Sequence, residues 1–132
     1  MTQKNIYVMD IIVSKMAEGA PFSKALKSVY NKRNVCIPCN NELFDVGIDV
    51  LGLSNRTSNA LMRASLFTVK EVINFILEEG IRKVRNLGVS SGVELFEAIL
   101  DYSWANMTKK DRVSFLIDAV ERNQNYIREE SA

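Results

Sequence analysis

LSNRTSNAL, residues 53–61, and KVRNLGVSS, residues 83–91, are the two stretches that decide how this sequence is interpreted. In the first stretch, a helix that begins after Ser54 would place Arg56 and Asn59 on one side, because residues three apart are neighbours on a helix surface. Arg63 lies four residues beyond Asn59, on much the same side. The spacing therefore predicts a short polar stripe with two arginines.

In the second stretch, the run Asn86-Leu87-Gly88 predicts a tight turn, in which Gly88 lets the backbone turn closely before a helix that begins at Ser90 and Ser91. Such a turn presents free backbone N–H groups that suit a phosphate. An arginine beside an asparagine, facing a glycine turn at a helix start, is one way to hold a DNA backbone. The alternative is that Arg56 and Asn59 simply meet solvent, as such side chains usually do on a helix.

Helical periodicity extends over nearly the whole sequence, with no repeat and no low-complexity run. The expected fold class is all-α. Before residue 51 we predict three helices: one ending near Glu18 and Gly19, one opened by Pro21, and one capped by Asn40 or Asn41. Their predicted apolar faces are, respectively, Ile6, Met9, Val13 and Met16; Phe22, Ala25, Leu26, Val29 and Tyr30; and Leu43, Phe44, Val46 and Val50.

Capping boxes mark the later helices, since a Thr or Ser followed three residues later by Glu satisfies free N–H groups at a helix start. Thr68 with Glu71, and Ser91 with Glu94, have this pattern, and Thr108 with Asp111 starts the last helix. The tail from Asn123 onward is polar and is expected to fray. The apolar faces expected for these helices are Val69, Val72, Ile73, Ile76 and Leu77; Val93, Phe96 and Leu100; and Val113, Leu116, Ile117 and Val120.

Composition excludes several classes of protein. The chain has 132 residues, 47% of them hydrophobic, which suffices for a core, and a formal net charge of +1. It has no histidine, so it lacks the usual general base near neutral pH and the commonest metal ligand, and an enzyme is not expected. No targeting signal or membrane span is expected either, so we predict a cytoplasmic protein without membrane contact.

Charge is distributed unevenly along the sequence. Residues 1–40 carry a net charge of +4 and residues 52–96 of +2, whereas residues 41–51 carry −3 and residues 97–132 carry −2. This pattern permits a nucleic-acid-binding face without requiring one.

Three further features have a plain structural interpretation. Cys36 and Cys39 have C-x-x-C spacing, but a zinc site needs four ligands, so two small thiols are expected and zinc shared across a dimer is the alternative. The basic helix at residues 24–33 is expected to be a solvated face, with a second DNA contact as the alternative. Tyr102 and Trp104 are expected to hold the last helix to the core rather than to stack on bases.

Residues 46–103 resemble the C-terminal domain of the bacterial RNA polymerase alpha subunit. The family pattern is L-(S/T)-x-R-(S/T)-x-N-x-L, then T-V-x-E-(V/L), then (K/R)-x-(R/P)-N-L-G-x-K-S. The sequence reads LGLSNRTSNALMRASLFTVKEV and then KVRNLGVSSGVEL. The resemblance implies a compact helical domain with a helix-hairpin-helix element. It also implies binding in the minor groove of A·T-rich promoter DNA, and contacts to RNA polymerase, sigma factor and activators.

Carried over by position, the resemblance implies that the DNA-facing residues include an arginine that enters the minor groove and groups that hold phosphates. Glu94 is implied to orient neighbouring side chains rather than touch phosphates. The implied residues are Arg56, Asn59, Gly88, Ser90, Ser91 and Glu94.

This sequence departs from the family where lysine is usual, since Ser90 stands there, and Val89 replaces another commonly basic position. Losing two cations should weaken phosphate contact and flatten the salt dependence of DNA binding. Nearby basic residues that could compensate for the two missing cations are Arg63, Arg82, Lys83 and Arg85.

The expected organisation is a helical amino-terminal unit (1–45), the alpha-C-terminal-like domain (46–103), and a carboxyl-terminal helix with its tail (104–132). The first 45 residues are too few for the assembly domain of the polymerase subunit. We therefore expect a free-standing relative of its C-terminal domain that has no polymerase activity, no cofactor and no metal.

The leading hypothesis is a non-enzymatic, transcription-associated DNA-binding protein. One alternative is a protein-interaction module that mimics the polymerase domain and binds activators or sigma factor with little DNA affinity. Another is a helix-hairpin-helix DNA binder from repair or recombination. The apolar amino-terminal helices could also form a homodimer.

Overall fold

The computed structural model describes residues 2–30 and 45–127. Within them the protein is helical, with isolated bridges and no strand, which confirms the all-α fold class. The α-helices are α1 (Gln3–Ala17), α2 (Phe22–Ser28), α3 (Asn55–Arg63), α4 (Val69–Glu79), α5 (Val89–Ala105) and α6 (Lys109–Arg122), and 3-10 helices span Ile48–Leu51, Ile81–Lys83 and Gln124–Tyr126.

Short polar side chains fix where several of these helices begin. The hydroxyls of Ser54, Thr68 and Thr108 accept hydrogen bonds from backbone N–H groups in the first turns of α3, α4 and α6. At α4 the Glu71 carboxylate accepts a bond from the Thr68 N–H at 3.0 Å, which completes the predicted capping box. The predicted starts of these three helices are confirmed.

The protein forms two compact units, which we call the terminal unit (residues 1–39 and 104–132) and the central unit (40–103). In the terminal unit, α2 and the residues after it bury the predicted face completely: Phe22, Ala25, Leu26, Val29 and Tyr30 are all buried. Trp104, at the end of α5, stacks on Phe22 with ring centroids 4.0 Å apart. Its ring is also covered by the Arg112 guanidinium at 5.2 Å, so Trp104 acts here as a packing residue.

The central unit packs α3, α4 and α5 around one apolar cluster. Backbone pairing closes it on one side, since the Ile48 N–H donates to the Phe67 carbonyl at 3.0 Å and the Val69 N–H to the Val46 carbonyl at 2.9 Å. The buried members of the cluster are Ile48, Leu61, Leu66, Val69, Val72, Val84, Leu95 and Ile99.

The predicted buried face of α1 is wrong, because the observed buried positions lie one residue earlier in the sequence than the predicted ones. Ile6 and Val13 are exposed, and the buried positions are Asn5, Val8 and Ile12. Hydrophobic periodicity did not identify this face because the buried face includes the polar residue Asn5. The Asn5 side-chain amide donates a hydrogen bond to the Gln124 side chain at 3.2 Å.

Two later helices also expose a residue predicted to face inward. Leu77 in α4 is 72% exposed, and Val113 in α6 is exposed as well. The buried residues of these helices are Val69 and Val72 in α4 and Phe115, Leu116, Ala119 and Val120 in α6.

The helix predicted to carry Val46 and Val50 is absent from residues 45–51, the part of it that the structure describes. Gly47 is extended and forms a bridge with Thr68, and only the 3-10 turn Ile48–Leu51 follows, with Val50 exposed. Pairing with a distant segment overrides the local helical pattern here. Leu43 and Phe44, like the predicted caps Asn40 and Asn41, lie outside the described residues.

The polar tail is ordered further than expected. Asn123 is buried, and its side-chain amide donates to the Ala119 carbonyl at 2.7 Å. Ile127 then forms a bridge with Tyr30. The prediction of fraying from Asn123 is therefore wrong for residues 123–127.

The Thr68 cap gives a direct test of the fold of the central unit. We expect Thr68→Ala to lower the free energy of unfolding by about 1 kcal/mol, because an N–H at the start of α4 loses its acceptor. Urea denaturation followed by circular dichroism measures the change. Thr68→Ser keeps the hydroxyl and should stay close to the unaltered protein; equal loss in both variants would contradict the capping role.

Candidate nucleic-acid interface

One wall of the candidate site is the exposed side of α3. The Ser54 cap starts this helix, and Thr57, Ala60 and Leu61 anchor it in the interior. Because α3 buries that face, the side chains of Arg56, Asn59 and Arg63 lie on the opposite side, at intervals of three and four residues.

The other wall is the connection between α4 and α5. Val84 in this connection is buried in the core, whereas Arg82 and Arg85 on either side of it are exposed. Asn86 adopts a left-handed conformation with φ of 69°, and this residue, not Gly88, carries the tight turn. The turn predicted at residues 86–88 is therefore present, but Asn86 rather than Gly88 provides it.

Between these walls lies an open cleft of about 570 Å³ with a cationic rim. Buried Ala60 and Val84 contribute to its floor, and none of its lining residues is acidic. The lining residues are Arg56, Asn59, Ala60, Arg63, Arg82, Val84, Arg85, Asn86, Leu87 and Gly88.

Within the described residues, the four arginines of this cleft have no partner inside the protein. Among residues 2–30 and 45–127, none of them has a hydrogen bond or an ion pair from its side chain. By contrast, the Arg122 guanidinium is paired with Asp118 at 2.9 Å, and that of Arg112 donates to the Trp104 carbonyl at 2.8 Å. Four such guanidinium groups around one concave surface create a positive potential suited to a polyanion.

Glu94 lies beside the start of α3 and holds it in place. Its carboxylate accepts hydrogen bonds from the Ser54 N–H at 2.6 Å, the Ser54 hydroxyl at 2.9 Å and the Thr57 hydroxyl at 2.5 Å. Partial burial raises the pKa of Glu94, but the bonds from Thr57 and Ser54 together lower it more. The net pKa therefore lies below the ordinary value for glutamate.

The capping box predicted for Ser91 and Glu94 is wrong. The α5 helix begins at Val89, two residues before Ser91, so Ser91 sits inside the helix and is only 7% exposed. Glu94 is committed to Ser54 and Thr57 instead, an arrangement between residues about 40 apart in sequence. Local spacing gives no sign of it.

The cleft brings together five of the predicted site residues, namely Arg56, Asn59, Gly88, Arg63 and Arg85. The others lie outside its lining. Ser90 and Lys83 are exposed, Ser91 is buried, and Glu94 is half-buried against α3. Contact of any of these residues with DNA stays a prediction.

Asn86 lines the cleft although it was not assigned to the site, and Arg82, which the sequence offered only as a compensating cation, lines it too. The sequence feature that could have indicated Arg82 is the cluster of basic residues before the turn, where Arg82, Lys83 and Arg85 fall within four residues. The sequence does not say which of them face the cleft, because that depends on Val84 entering the core.

The remaining candidates give no second site that can be described. Among the described residues, no group of three acidic or thiol side chains could hold a metal ion, and Cys36 and Cys39 lie outside these residues. Lys24 is exposed on α2 and Lys27 is half-buried; a DNA contact there stays a prediction, and Arg33 is not described. No helix in the described residues has the length and apolar character needed to cross a membrane.

Comparison with known families agrees with the motifs. Residues 38–101 match the family of the C-terminal domain of the bacterial RNA polymerase alpha subunit. The match covers just under half of the sequence and confirms the resemblance for this segment. No solved structure shows a significant match to the protein.

The lowered pKa of Glu94 predicts a pH-dependent contribution to stability. A carboxylate whose pKa is lower in the folded than in the unfolded state stabilises the fold above the unfolded-state pKa. This contribution is lost as the pH falls through the folded-state pKa. We expect Glu94→Gln to lower the free energy of unfolding by about 1 kcal/mol near pH 7, after allowing for solvent screening.

Urea titrations at a series of decreasing pH values measure this difference. The gap between the unaltered protein and Glu94→Gln should narrow toward acid pH. Glu78→Gln, which alters an exposed carboxylate of the same unit, is the matched control and should show no such gap. A gap of constant size across the series would contradict the role of the Glu94 charge.

Proposed function

We propose that the central unit binds double-stranded DNA through the arginine cleft, and that the protein is a non-enzymatic, transcription-associated protein of the cytoplasm. The observation that carries this proposal is the cleft itself, where four arginines and two asparagines meet without a carboxylate in the lining. The match of residues 38–101 to the alpha-subunit domain family supports the same function.

Arg56 is the residue we propose to enter the minor groove. An A·T tract has a narrow minor groove with an enhanced negative potential, which favours an inserted arginine. Arg56 lies in the first turn of α3, and the bonds of Glu94 to Ser54 and Thr57 fix that turn. Its guanidinium is therefore presented from a backbone that is already ordered, so little backbone freedom is lost on binding.

Phosphates would be held around the rest of the cleft. We propose that Asn59, the backbone N–H groups next to Gly88 and the exposed Ser90 hydroxyl take this role, because such contacts position a protein without reading bases. Ser91 is a weaker candidate than the motif implies, since burial leaves its hydroxyl little access to a phosphate.

A protein-interaction function is the second candidate. The central unit exposes several large apolar side chains, among them Met62, Phe67 and Leu77, which suit contact with another protein. By its similarity to the alpha-subunit domain, the partner would be RNA polymerase, sigma factor or an activator. The homodimer through the amino-terminal helices stays a prediction that analytical ultracentrifugation tests.

Arg56→Ala is expected to weaken binding to an A·T-tract duplex by about tenfold to a hundredfold, the usual range for an arginine that reads a groove. It should also reduce the preference for the A·T tract over a G·C-rich duplex. Fluorescence anisotropy with both duplexes measures these values, and circular dichroism checks that the variant is folded.

Lys70→Ala is the matched control, because Lys70 is an exposed cation of the central unit that does not line the cleft. It should bind like the unaltered protein. Binding without base-composition preference would instead indicate a general helix-hairpin-helix DNA binder. A protein that binds neither duplex at low salt would overturn the DNA function and favour the protein-interaction module.

A further inference from the structure

We infer that Arg63, Arg82 and Arg85, which we call the arginine trio, bind the phosphates of the DNA backbone, while Arg56 alone supplies the preference for A·T tracts. The inference rests on the proposed DNA function and assigns the cleft residues two separate roles. It also accounts for the missing cations at the start of α5, where Val89 is 63% exposed and Ser90 is uncharged.

Arg63 and Arg56 lie at different heights along the axis of α3 and therefore reach different parts of a bound duplex. The two residues are seven apart, so their backbone positions differ by about 10 Å along the helix axis. That rise corresponds to about three nucleotides of one DNA strand. One guanidinium in the groove and the other on the flanking backbone is therefore the arrangement that this spacing favours.

The backbone that carries Arg82 and Arg85 is fixed by Val84, one of the two residues between them. Val84 is 3% exposed in the core, and hydrogen bonds from the Lys83 N–H to the Gly80 carbonyl (3.1 Å) and from the Val84 N–H to the Ile81 carbonyl (3.2 Å) hold the turn. The arginines on either side are exposed and line the same cleft as α3. Their backbone is thus set before any ligand arrives, which lowers the entropic cost of binding.

The chemistry of the trio favours phosphate over other anions. A guanidinium group donates two parallel hydrogen bonds to a phosphate, and it releases condensed counterions from DNA when it binds. None of the lining residues carries a negative charge that would neutralise these cations. The trio therefore supplies the salt-dependent part of the affinity.

The test is the salt dependence of DNA binding, measured by anisotropy with A·T-tract and G·C-rich duplexes over a range of salt concentrations. For the double variant Arg82→Ala/Arg85→Ala we expect the slope of log affinity against log salt to flatten by about 2, close to 0.9 for each phosphate contact. Arg63→Ala should flatten it by about 1. The ratio of A·T to G·C affinity should not change in either variant.

Two controls sharpen the result. Lys70→Ala removes one exposed charge outside the cleft and should leave the slope unaltered. Arg82→Lys/Arg85→Lys keeps both charges and should restore most of the slope, which a purely structural role of these arginines would not do.

The outcomes are distinguishable. If the unaltered protein binds and depends on Arg56, but the double variant keeps its full salt slope, the role of the trio is wrong and the proposed function stands. If the double variant instead changes the A·T preference, the division of roles is wrong. If the unaltered protein binds no DNA, the proposed function fails and this inference fails with it.

Discussion

The Glu94 carboxylate ties α5 to the beginning of α3, and the candidate site depends on this contact. It accepts three hydrogen bonds, from the Ser54 N–H and from the hydroxyls of Ser54 and Thr57. Ser54 caps α3, and Thr57 is fully buried. The bonds therefore set where the helix begins, and with it the position of Arg56 two residues after the cap.

The second wall of the cleft depends on burial rather than on charge. Val84 enters the same apolar cluster as Leu61 of α3, so one core holds both walls. The connection between α4 and α5 contains the 3-10 turn Ile81–Lys83 and the left-handed Asn86, and its arginines lie on either side of the buried Val84. A cationic surface on such a support is already arranged for an anion, which is the condition for strong electrostatic binding.

Features set by neighbouring residues could be predicted from the sequence. The Thr68–Glu71 capping box and the apolar face of α2 follow from residues three or four apart, and both are present. Features set by distant residues could not. Gly47 is extended because it pairs with Thr68, and α1 is rotated because Asn5 bonds to Gln124 across the terminal unit. Neither partner can be identified from periodicity alone.

The residues of the candidate site also differ in whether the sequence could predict their positions. Helical spacing was enough to place Arg56, Asn59 and Arg63 together on α3. It could not place Arg82 and Arg85, since a 3-10 turn has no long periodicity to follow. Nor could it show that Ser91 is buried, because the start of α5 lies two residues earlier than the serines suggest.

The most direct test of the central claim, that the cleft is the DNA interface, is an NMR titration of the 132-residue protein with an A·T-tract duplex. We expect the largest amide shifts to cluster at residues 54–63 and 80–90, with small changes in α1, α2 and α6. Binding whose shifts fall mainly in those three helices, or an absence of shifts around the cleft at saturating DNA, would contradict it.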